Sequence, residues 1–543
     1  MSFQTRRIRA DRKSSLSLQK TALFLVALAR PIVGLYRKIE QRKKKKREHE
    51  KEEKRERRSV MSVISIGLAL CLVIFIMMGS IKLLAFVGTL MPLRAPGAAA
   101  AELKKDSDGF TNILLLGVGD DGHDGIDLTD TIMVASIDPT KTHSIVMLSI
   151  PRDLHLTDTK KMGVGRINEL YRNFKIELIR QGYTKEEASK EAMRQLADEL
   201  GTRLHMQIHD VLKINFSGFE QAIDAIGGID VTVAKDIIDT EYPGPNYTYE
   251  TFSISAGDQH LDGATALKYA RSRHSSSDFS RSGRQQQIIT AAIAKMKASG
   301  FIGNIGNISR LYNVLSKNVE STMSLKEMIT LASAERNMDT SRIISQQLSD
   351  QNGLYGGLAE AGGFLYTPPR SEWGGASILL PVSAAGTPLG NWDRISLFTD
   401  FLLHHRDWYL AKPRIAVLNA GSKPGSAGLL ATELIRFGFN VVSVKNFEDK
   451  KDATLVQFTP PLTLSSSDAS ASDIDAKQAT ERQKIAQAQA TFFAATLGAA
   501  PAIAAQTLDR EDAPEILIIT GKDFAYTSLP SLLAASGSTA IAQ

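Results

Sequence analysis

The stretch from Thr111 to Asp153, TNILLLGVGDDGHDGIDLTDTIMVASIDPTKTHSIVMLSIPRD, decides the fold of the chain. It contains three apolar runs of strand type, at 111–118, 131–137 and 144–150. Asp138-Pro139-Thr140-Lys141 forms a turn between the last two runs. Beyond this stretch, strand patterns alternate with helical patterns, so the sequence predicts an α/β sandwich around a mixed central sheet.

The predicted elements after this stretch fall into two domains. In the first, helices are expected at 185–200, 219–226, 288–297 and 324–334, and strands at 211–216 and 229–233. In a smaller C-terminal α/β domain, strands are expected at 415–418, 441–444, 454–458 and 516–520, with a helix at 429–437. Gly438 is placed at the C′ position of that helix. The turn through Gly421, Gly425 and Gly428 lacks the spacing of a phosphate loop. Residues 465–475 are low in complexity and expected to be disordered.

The positive charge of the chain is concentrated at its N-terminus. The net charge is +6, yet residues 1–58 carry 20 Lys and Arg against 7 Asp and Glu. An uncharged run of 23 residues, Ser59–Ile81, follows this basic tail, and about 20 apolar residues suffice to span a bilayer. The positive-inside rule then predicts a single-pass protein of the cell membrane, with residues 1–58 in the cytoplasm and the region after Ile81 outside.

The basic tail and the single cysteine limit the possible chemistry. Topology and contact with anionic lipids explain the tail, and no folded reader of nucleic acid is visible in it, so no specific nucleic-acid partner is expected. Docking of a partner on the tail remains open. Cys71 lies inside the predicted span. The outer region therefore has no disulfide and no thiol chemistry.

A cluster of arginines lies between Tyr269 and Gln287. Arg271 and Arg273 are two residues apart after an apolar run, and they project from one face if that end is extended. Arg281 and Gln285 are four apart and share a face of the following helix. Several guanidinium groups beside a helix start suit a phosphate or pyrophosphate. A solvated basic face would give the same pattern.

Two further clusters are candidates for the same site. The loop 117–130 contains five aspartates, and Arg152 follows Pro151 at the carboxyl end of a predicted strand, where α/β sheets bind ligands. Carboxylates that hold Mg²⁺ and arginines that hold phosphate oxygens are the groups that phosphoryl transfer needs. A solvated turn explains the aspartates equally well. The sequence shows no zinc-ligand spacing and no serine-hydrolase elbow.

Motifs in the order found across 110–296 resemble the LytR-CpsA-Psr family of bacterial cell-wall proteins. They include Asn112–Gly117, Ser149–Asp153, Arg166–Asn168, Ile226–Asp230 and Tyr269–Arg273, followed by Asp278–Gln285. Residues 414–524 resemble the C-terminal domain often attached to this family. The expected organisation is a tail 1–58, a transmembrane helix 59–81, a linker 82–108, a catalytic domain 109–390, a linker 391–412, a C-terminal domain 413–528 and a tail 529–543.

The resemblance implies a phosphotransferase that moves a glycopolymer from a polyprenyl-pyrophosphate donor to a peptidoglycan acceptor. It implies catalytic roles for Arg152, Arg271, Arg273, Asp120 and Asp278. It implies that the pyrophosphate is bound by Arg152, Arg271, Arg273, Arg281 and Gln285, and that Mg²⁺ is held by Asp130 and Asp120. An apolar tunnel for the lipid is expected in the family. Ordinary core packing would also explain its candidate lining, which is Leu212, Ile214, Phe216, Phe219 and Ile223.

One departure from the family pattern lies in the aspartate loop. The family usually places Asp two residues after the first motif glycine, whereas this chain has Gly119 there and Asp120 one later. A loop shifted by one residue would let Asp120 replace that carboxylate. The Gly119 departure favours an alternative function, a protein that binds polyprenyl-pyrophosphate lipids without turnover. A regulator that acts through the basic tail is a third possible function.

Overall fold

The computed structural model describes residues 102–120, 125–243, 248–272, 278–298, 317–324, 327, 339–349, 363–382, 391–458, 473–499, 501–503 and 513–535. All its described helices and strands belong to one compact unit, which lies within Met61–Pro243 and Tyr249–Gln543. The predicted span 59–81 lies outside the described residues. Among those described, no helix is long and apolar enough to cross a membrane.

The part of the chain up to residue 382, called the first half below, alternates strands and helices, as predicted; the part from residue 391 is called the second half. Its strands are β1 Thr111–Val118, β2 Thr129–Asp138, β3 Ser144–Ile150, β4 His155–Leu156, β5 Gly165–Arg166, β6 Asp210–Asn215, β7 Ile229–Val233, β8 Ile237–Pro243, β9 Tyr249–Ile254, β10 Gly257–Leu261, β11 Val319–Ser321, β12 Ile343–Gln347, β13 Leu365–Tyr366 and β14 Leu380–Pro381. Its helices are α1 Ile167–Arg180, α2 Lys185–Leu204, α3 Phe216–Ala225, α4 Gly263–Arg271 and α5 Asp278–Ala298.

The second half has its own strands and helices. The helices are α6 Asp393–His404, α7 Arg406–Ala411, α8 Ser426–Arg436, α9 Asp473–Thr496 and α10 Leu529–Ala535. The strands are β15 Ile415–Asn419, β16 Val441–Asn446, β17 Leu455–Phe458, β18 Pro501–Ile503 and β19 Ile516–Thr520. Gly438 follows α8 with φ of 82°, the left-handed conformation predicted for its C′ position.

The central sheet has six strands in the order β11-β6-β1-β2-β3-β12. Strand β1 pairs parallel with β6 and antiparallel with β2, while β3 pairs antiparallel with β2 and parallel with β12. The predicted mixed sheet is therefore confirmed. Because β1, β3 and β6 run in one direction, their carboxyl ends and the start of β2 lie along the same edge.

Both faces of this sheet are buried, which explains the unbroken apolar runs of β1 and β3. Leu114 and Leu116 of β1 belong to one core, which continues into the second half of the chain. Ile113 and Leu115 point into the other core, where α3, α4 and α5 pack. One strand thus supplies both cores by the alternation of its side chains.

The second half contains a five-stranded sheet in the order β16-β15-β19-β17-β18. Strand β15 pairs parallel with both β16 and β19, and β17 pairs antiparallel with β19. This is the predicted smaller α/β domain. The ring of Phe437, after α8, lies 5.8 Å from that of Phe401 in α6 and 5.5 Å from that of Phe364. The two halves therefore share one aromatic core.

Residues 391–412 were expected to be a linker and instead form α6 and α7. Phe398 and Phe401 of α6 are fully buried. Arg406 of α7 is 1% exposed and donates to the carbonyl oxygen of Ser136 at 3.0 Å and to its Oγ at 2.6 Å. The ring of Phe110 covers the guanidinium at 4.1 Å. These helices thus pack against the central sheet and do not merely connect two domains.

Candidate functional site

Asp130, at the start of β2, joins the three clusters that the sequence singled out. Its Oδ1 accepts a hydrogen bond from Nη1 of Arg152 at 2.8 Å, and its backbone oxygen accepts one from Nη2 of Arg281 at 3.3 Å. Asn168 Nδ2 lies 3.5 Å from the same Oδ1. The structure therefore brings the aspartate loop, the end of β3 and the start of α5 together at one edge of the sheet.

Arg152 holds its place through the chain that surrounds it. Pro151 ends β3 directly before it, and the backbone oxygen of Arg152 accepts a hydrogen bond from the amide of Asn168 at 3.3 Å. Its Nε lies 3.7 Å from Oδ2 of Asp153. The side chains of Arg152 and Asp130 are 21% and 32% exposed. This ion pair is therefore shielded by protein and still open on one side to solvent.

Arg271 is the last residue of α4, so the extended conformation considered for this run is wrong. Asp262 caps the start of the helix, because its Oδ1 accepts from the amide of Thr265 at 2.8 Å. A cation at a helix carboxyl end interacts favourably with the helix dipole. The Arg271 guanidinium lies 4.4 Å from the ring centre of Phe216 and donates to Oη of Tyr242 at 3.0 Å.

Helix α5 contains Arg281 and Gln285, which share one face as predicted. Arg281 is 5% exposed and Gln285 is half-buried. Between them, Arg284 is buried and donates to the backbone oxygens of Tyr269, at 2.8 Å, and Ser272. Burial lowers the pKa of Arg284. Arg284 therefore fastens the end of α4 to α5 and fixes the segment that carries Arg271.

Asp120 lies directly after β1 and contacts the start of α3. Its Oδ1 accepts from the amide of Ser217 at 3.1 Å and its Oδ2 from Oγ of Ser217 at 3.0 Å. The residue is 6% exposed. A carboxylate at a helix start satisfies an amide that has no partner within the helix. Asp120 thus links the aspartate loop to Phe216, which covers Arg271.

Glu220, one turn further along α3, is an unusual carboxyl group. Its Oε1 is buried and has no hydrogen-bond partner in the described part of the chain. Burial, followed by the charges of Asp224, Asp120 and Asp262, raises the pKa of Glu220 to about 9. Glu220 is therefore neutral at pH 7 and adds no negative charge beside Asp120.

Asp127 anchors the aspartate loop to the body of the domain. Its φ of 60° is uncommon for a residue with a side chain. Its Oδ2 pairs with Nζ of Lys175 at 2.7 Å and its Oδ1 lies 3.7 Å from Nζ of Lys213. Residues 121–124, including His123, lie outside the described residues. The ion pairs explain how the loop is held between β1 and β2.

The donor set at this edge fits a magnesium ion that arrives with phosphate. No group of three or more His, Cys, Asp and Glu that could hold a metal is present in the described part of the chain. Mg²⁺ usually binds one or two carboxylates together with substrate phosphates, so a full protein cage is not required. Asp130 is partly exposed and suits this role, whereas both Asp120 oxygens contact Ser217.

The remaining predicted residues have mixed outcomes. Arg273 and the side chain of Asp278 lie outside the described residues, and Asp278 is the first residue of α5. The candidate tunnel residues are all buried in the second core, as either explanation would require. Sequence reasoning assigned no role to Asn168, although it belongs to the Arg166–Asn168 motif. It also missed Tyr242, since nothing in the sequence pairs it with Arg271.

Comparison with known protein families identifies the family of this chain. Residues 92–366, just over half of the chain, match the LytR_cpsA_psr family. The chain belongs to the LytR-CpsA-Psr family. Residues 412–524 match the family described as LytR cell envelope-related transcriptional attenuator. The family named from the sequence motifs is thereby confirmed.

Individual relatives are named as cell-wall proteins. The polyisoprenyl-teichoic acid–peptidoglycan teichoic acid transferase TagU of Oceanobacillus iheyensis is 30% identical over 249 residues, which are 45% of this chain and 69% of TagU. The cell wall biosynthesis protein LcpA of Corynebacterium glutamicum is 30% identical over 40% of this chain and 43% of LcpA. The crystal structure of B. subtilis TagV aligns at 23% identity and a TM-score of 0.39, covering 55% of this chain and 97% of TagV.

Proposed function

We propose that this protein is a membrane-anchored phosphotransferase that attaches a polyprenyl-pyrophosphate-linked glycopolymer to peptidoglycan. The observation that carries the proposal is the convergence of Arg152 and Arg281 on Asp130 at the edge of the central sheet. The relative TagU is named as a transferase that uses a polyisoprenyl-linked teichoic acid and peptidoglycan. Family membership supports the same class of donor and acceptor here.

In the proposed reaction, an acceptor hydroxyl attacks the phosphorus that carries the sugar. A new bond forms between the acceptor oxygen and this phosphorus, and the bond to the bridging pyrophosphate oxygen breaks. Polyprenyl phosphate leaves with that oxygen. Arg152, Arg271 and Arg281 stabilise the negative charge that develops, with Arg273 and Gln285 as further donors. Asp120 accepts the hydroxyl proton, and Asp278 orients the arginines or the acceptor.

Asp130 and Asp120 would hold Mg²⁺ together with the pyrophosphate oxygens. When bound, the ion would neutralise phosphate charge and lower the cost of expelling polyprenyl phosphate. The contact between Asp130 and Arg152 would then orient this carboxylate. Ser217 already donates to both oxygens of Asp120, so Asp120 would hold the ion or accept the proton through the remaining lone pairs of these oxygens.

The proposal includes a location. A lipid-linked donor requires the site to lie near a membrane, and the run 59–81 with its basic flank would supply a single span. The cytoplasmic side would then carry residues 1–58, and the catalytic region would lie outside the cell.

The experiment uses the full chain in detergent, a synthetic polyprenyl-pyrophosphate glycan and peptidoglycan fragments. We expect a glycan-phosphate adduct in the presence of Mg²⁺ and its loss after chelation. Asp130→Asn should lower the transfer rate by about 100-fold, because it removes a carboxylate that would hold the ion and that pairs with Arg152. If neither chelation nor Asp130→Asn lowers the amount of adduct, the metal and Asp130 have no role in the mechanism.

A lipid-binding protein without turnover is the second candidate. Two observations favour it, Gly119 in place of the usual aspartate and the engagement of both Asp120 oxygens by Ser217. It predicts tight binding of the donor lipid, unaffected by Asp130→Asn, and no adduct. The same assay therefore separates the two candidates.

A further inference from the structure

The hairpin β8–β9 lies beside α4 and contacts it at two positions one helical turn apart. Tyr242 of β8 accepts a hydrogen bond from Nη1 of Arg271 at 3.0 Å. Glu250, paired with Tyr242 across the hairpin, forms an ion pair with Lys268 at 2.7 Å. Residues three apart on a helix lie on the same face, so both contacts hold the same side of α4.

Tyr242 and Phe216 each place an aromatic ring against the Arg271 guanidinium. The guanidinium carbon lies 4.4 Å from the ring centre of Phe216 and 5.4 Å from that of Tyr242. Both aromatic residues are buried, Tyr242 completely. Rings that are themselves fixed in a core leave a planar cation few orientations, and cation–π attraction favours contact with the ring faces.

The phenol of Tyr242 is suited to accept a hydrogen bond from a cation. Burial raises its pKa, with Arg271 acting in the opposite direction as the next largest influence. The hydroxyl therefore stays protonated at neutral pH and accepts from Arg271 as a neutral oxygen. A neutral acceptor orients the guanidinium without neutralising its positive charge.

We propose that Tyr242, together with the ring of Phe216, is a positioning residue that holds Arg271 in the orientation that receives the pyrophosphate of the donor. This inference rests on the proposed function and deepens it. Asp239 lies in the same strand as Tyr242, and its charge acts on Arg284, which fastens the end of α4 to α5. The strand β8 therefore carries the hydroxyl that contacts Arg271 and a carboxylate whose charge acts on Arg284.

Positioning of this kind affects binding through conformational entropy. A guanidinium already fixed at the end of α4 loses less side-chain freedom when the anion binds. Removing only the Tyr242 hydroxyl would allow Arg271 to sample other orientations while the ring stays in the core. The cost should appear in the binding of the pyrophosphate group and in KM more than in the folding of the domain.

The test is a calorimetric titration of the full chain in detergent with farnesyl pyrophosphate. Tyr242→Phe should weaken binding about tenfold, the effect of one hydrogen bond to a charged group. Tyr249→Phe is the matched control, because Tyr249 lies in the same hairpin with 69% of its surface exposed. In an Arg271→Ala background, Tyr242→Phe should cause no further loss, because its effect passes through Arg271.

Each outcome separates this inference from the proposed function. Unchanged binding by Tyr242→Phe, or equal losses with and without Arg271, would overturn the inference and leave the transferase intact. Absence of binding by the unmodified protein would overturn both. Binding that depends on Tyr242 but yields no adduct in the transfer assay would uphold the inference and overturn the transferase. If Tyr242→Phe fails to fold, Phe216→Leu tests the second ring and should also weaken binding severalfold.

Discussion

Two arginine–carboxylate centres in this molecule differ in how completely protein surrounds them. Glu433 of α8 is 0% exposed and lies between Arg394 and Arg436, which are 6% and 8% exposed. Asp130 is 32% exposed and its partner Arg152 is 21% exposed. Both centres pair a carboxylate with arginine, yet the first is closed and the second is open to solvent.

An arginine cluster therefore identifies a candidate binding site only when its side chains stay accessible to solvent. In the closed centre, Glu433 also accepts from the amide of Leu529 at 3.2 Å, so the carboxylate joins α6, α8 and the start of α10. In the open centre, Asp130 meets arginines from the end of β3 and from α5 at the edge of the sheet. The closed centre is therefore a buried structural contact, whereas the open centre is accessible to a ligand, as the proposed function requires.

The largest expected effect lies in the closed centre. Glu433→Ala would leave two buried guanidinium groups without their carboxylate, and breaking such a buried centre costs about 3–5 kcal/mol. Denaturant unfolding of the full chain measures this loss. Glu191→Ala, which removes an exposed partner of Arg194, is the control and should change the free energy of unfolding by less than about 1 kcal/mol. A small loss for Glu433→Ala would mean that the centre does not hold α6, α8 and α10 together.

The next effect lies in the open centre. Arg152→Ala should lower the transfer rate by about 100-fold to 1000-fold, because it removes a charged donor from the transition state. Its free energy of unfolding should change by only about 1 kcal/mol, since the pair is partly solvated. The assay compares the adduct formed per folded molecule with that of Arg194→Ala, an exposed arginine. Equal activity of the two variants would contradict the assignment of the open centre.

A smaller effect on the free energy of unfolding is expected at Glu220. Its carboxyl group has other acidic side chains nearby, whereas Glu433 is paired with arginines. The pKa of Glu220 is raised from 4.5 to about 9, so the folded protein keeps a proton that the unfolded chain releases above about pH 4.5. Stability should therefore fall as pH rises from 4.5 towards 9. Glu220→Gln stays neutral throughout and should be more stable than the unmodified protein by about 1–2 kcal/mol at pH 8, allowing for partial solvation.

Unfolding curves at pH 4.5 and pH 8 check this sign. The advantage of Glu220→Gln should be small at the lower pH and larger at the higher one. An advantage that stays constant with pH would show that Glu220 titrates in the same way in the folded and unfolded chain.

The smallest effect is expected at Gln285, which is half-buried on the face of Arg281. Its amide is a neutral donor, and one neutral hydrogen bond contributes roughly threefold to tenfold in affinity. Gln285→Ala should therefore raise KM for the lipid donor by this factor and leave kcat nearly unchanged. A loss as large as that of Arg152→Ala would place Gln285 among the charge-stabilising groups instead.

The sequence predicted the four inner strands β1, β2, β3 and β6 of the central sheet, because they are apolar runs that end at turn residues, and it did not predict the edge strands β11 and β12. The bounds of β1 and β3 agree with the prediction, as do those of β7 in a separate two-stranded sheet. Strand ends and helix spacing also made the clusters of Arg152, Arg281 and Asp130 candidates for one site, and the structure brings the three residues together. These features depend on local patterns, which a sequence displays directly.

Predictions failed where tertiary contacts decide. The run 264–270 is short enough for strand or helix, and the Asp262 cap made it a helix that ends at Arg271. Residues 391–412 were expected to be a linker, and nothing in the sequence shows which contact the polar Arg406 makes. Its guanidinium donates to backbone oxygens of β2 and β3, and this packs α7 against the central sheet. The contact of Tyr242 with Arg271 joins residues 29 apart and has no sequence signal.

The most direct test of the central claim is the transfer reaction of the Arg271→Ala variant. Mass spectrometry would measure the glycan-phosphate adduct on peptidoglycan fragments, beside a thermal unfolding curve of the same sample. We expect the adduct to fall by about 100-fold or more while the unfolding midpoint stays close to that of the unmodified protein. Near-normal adduct formation by folded Arg271→Ala would contradict the claim that the arginines at this edge carry the chemistry.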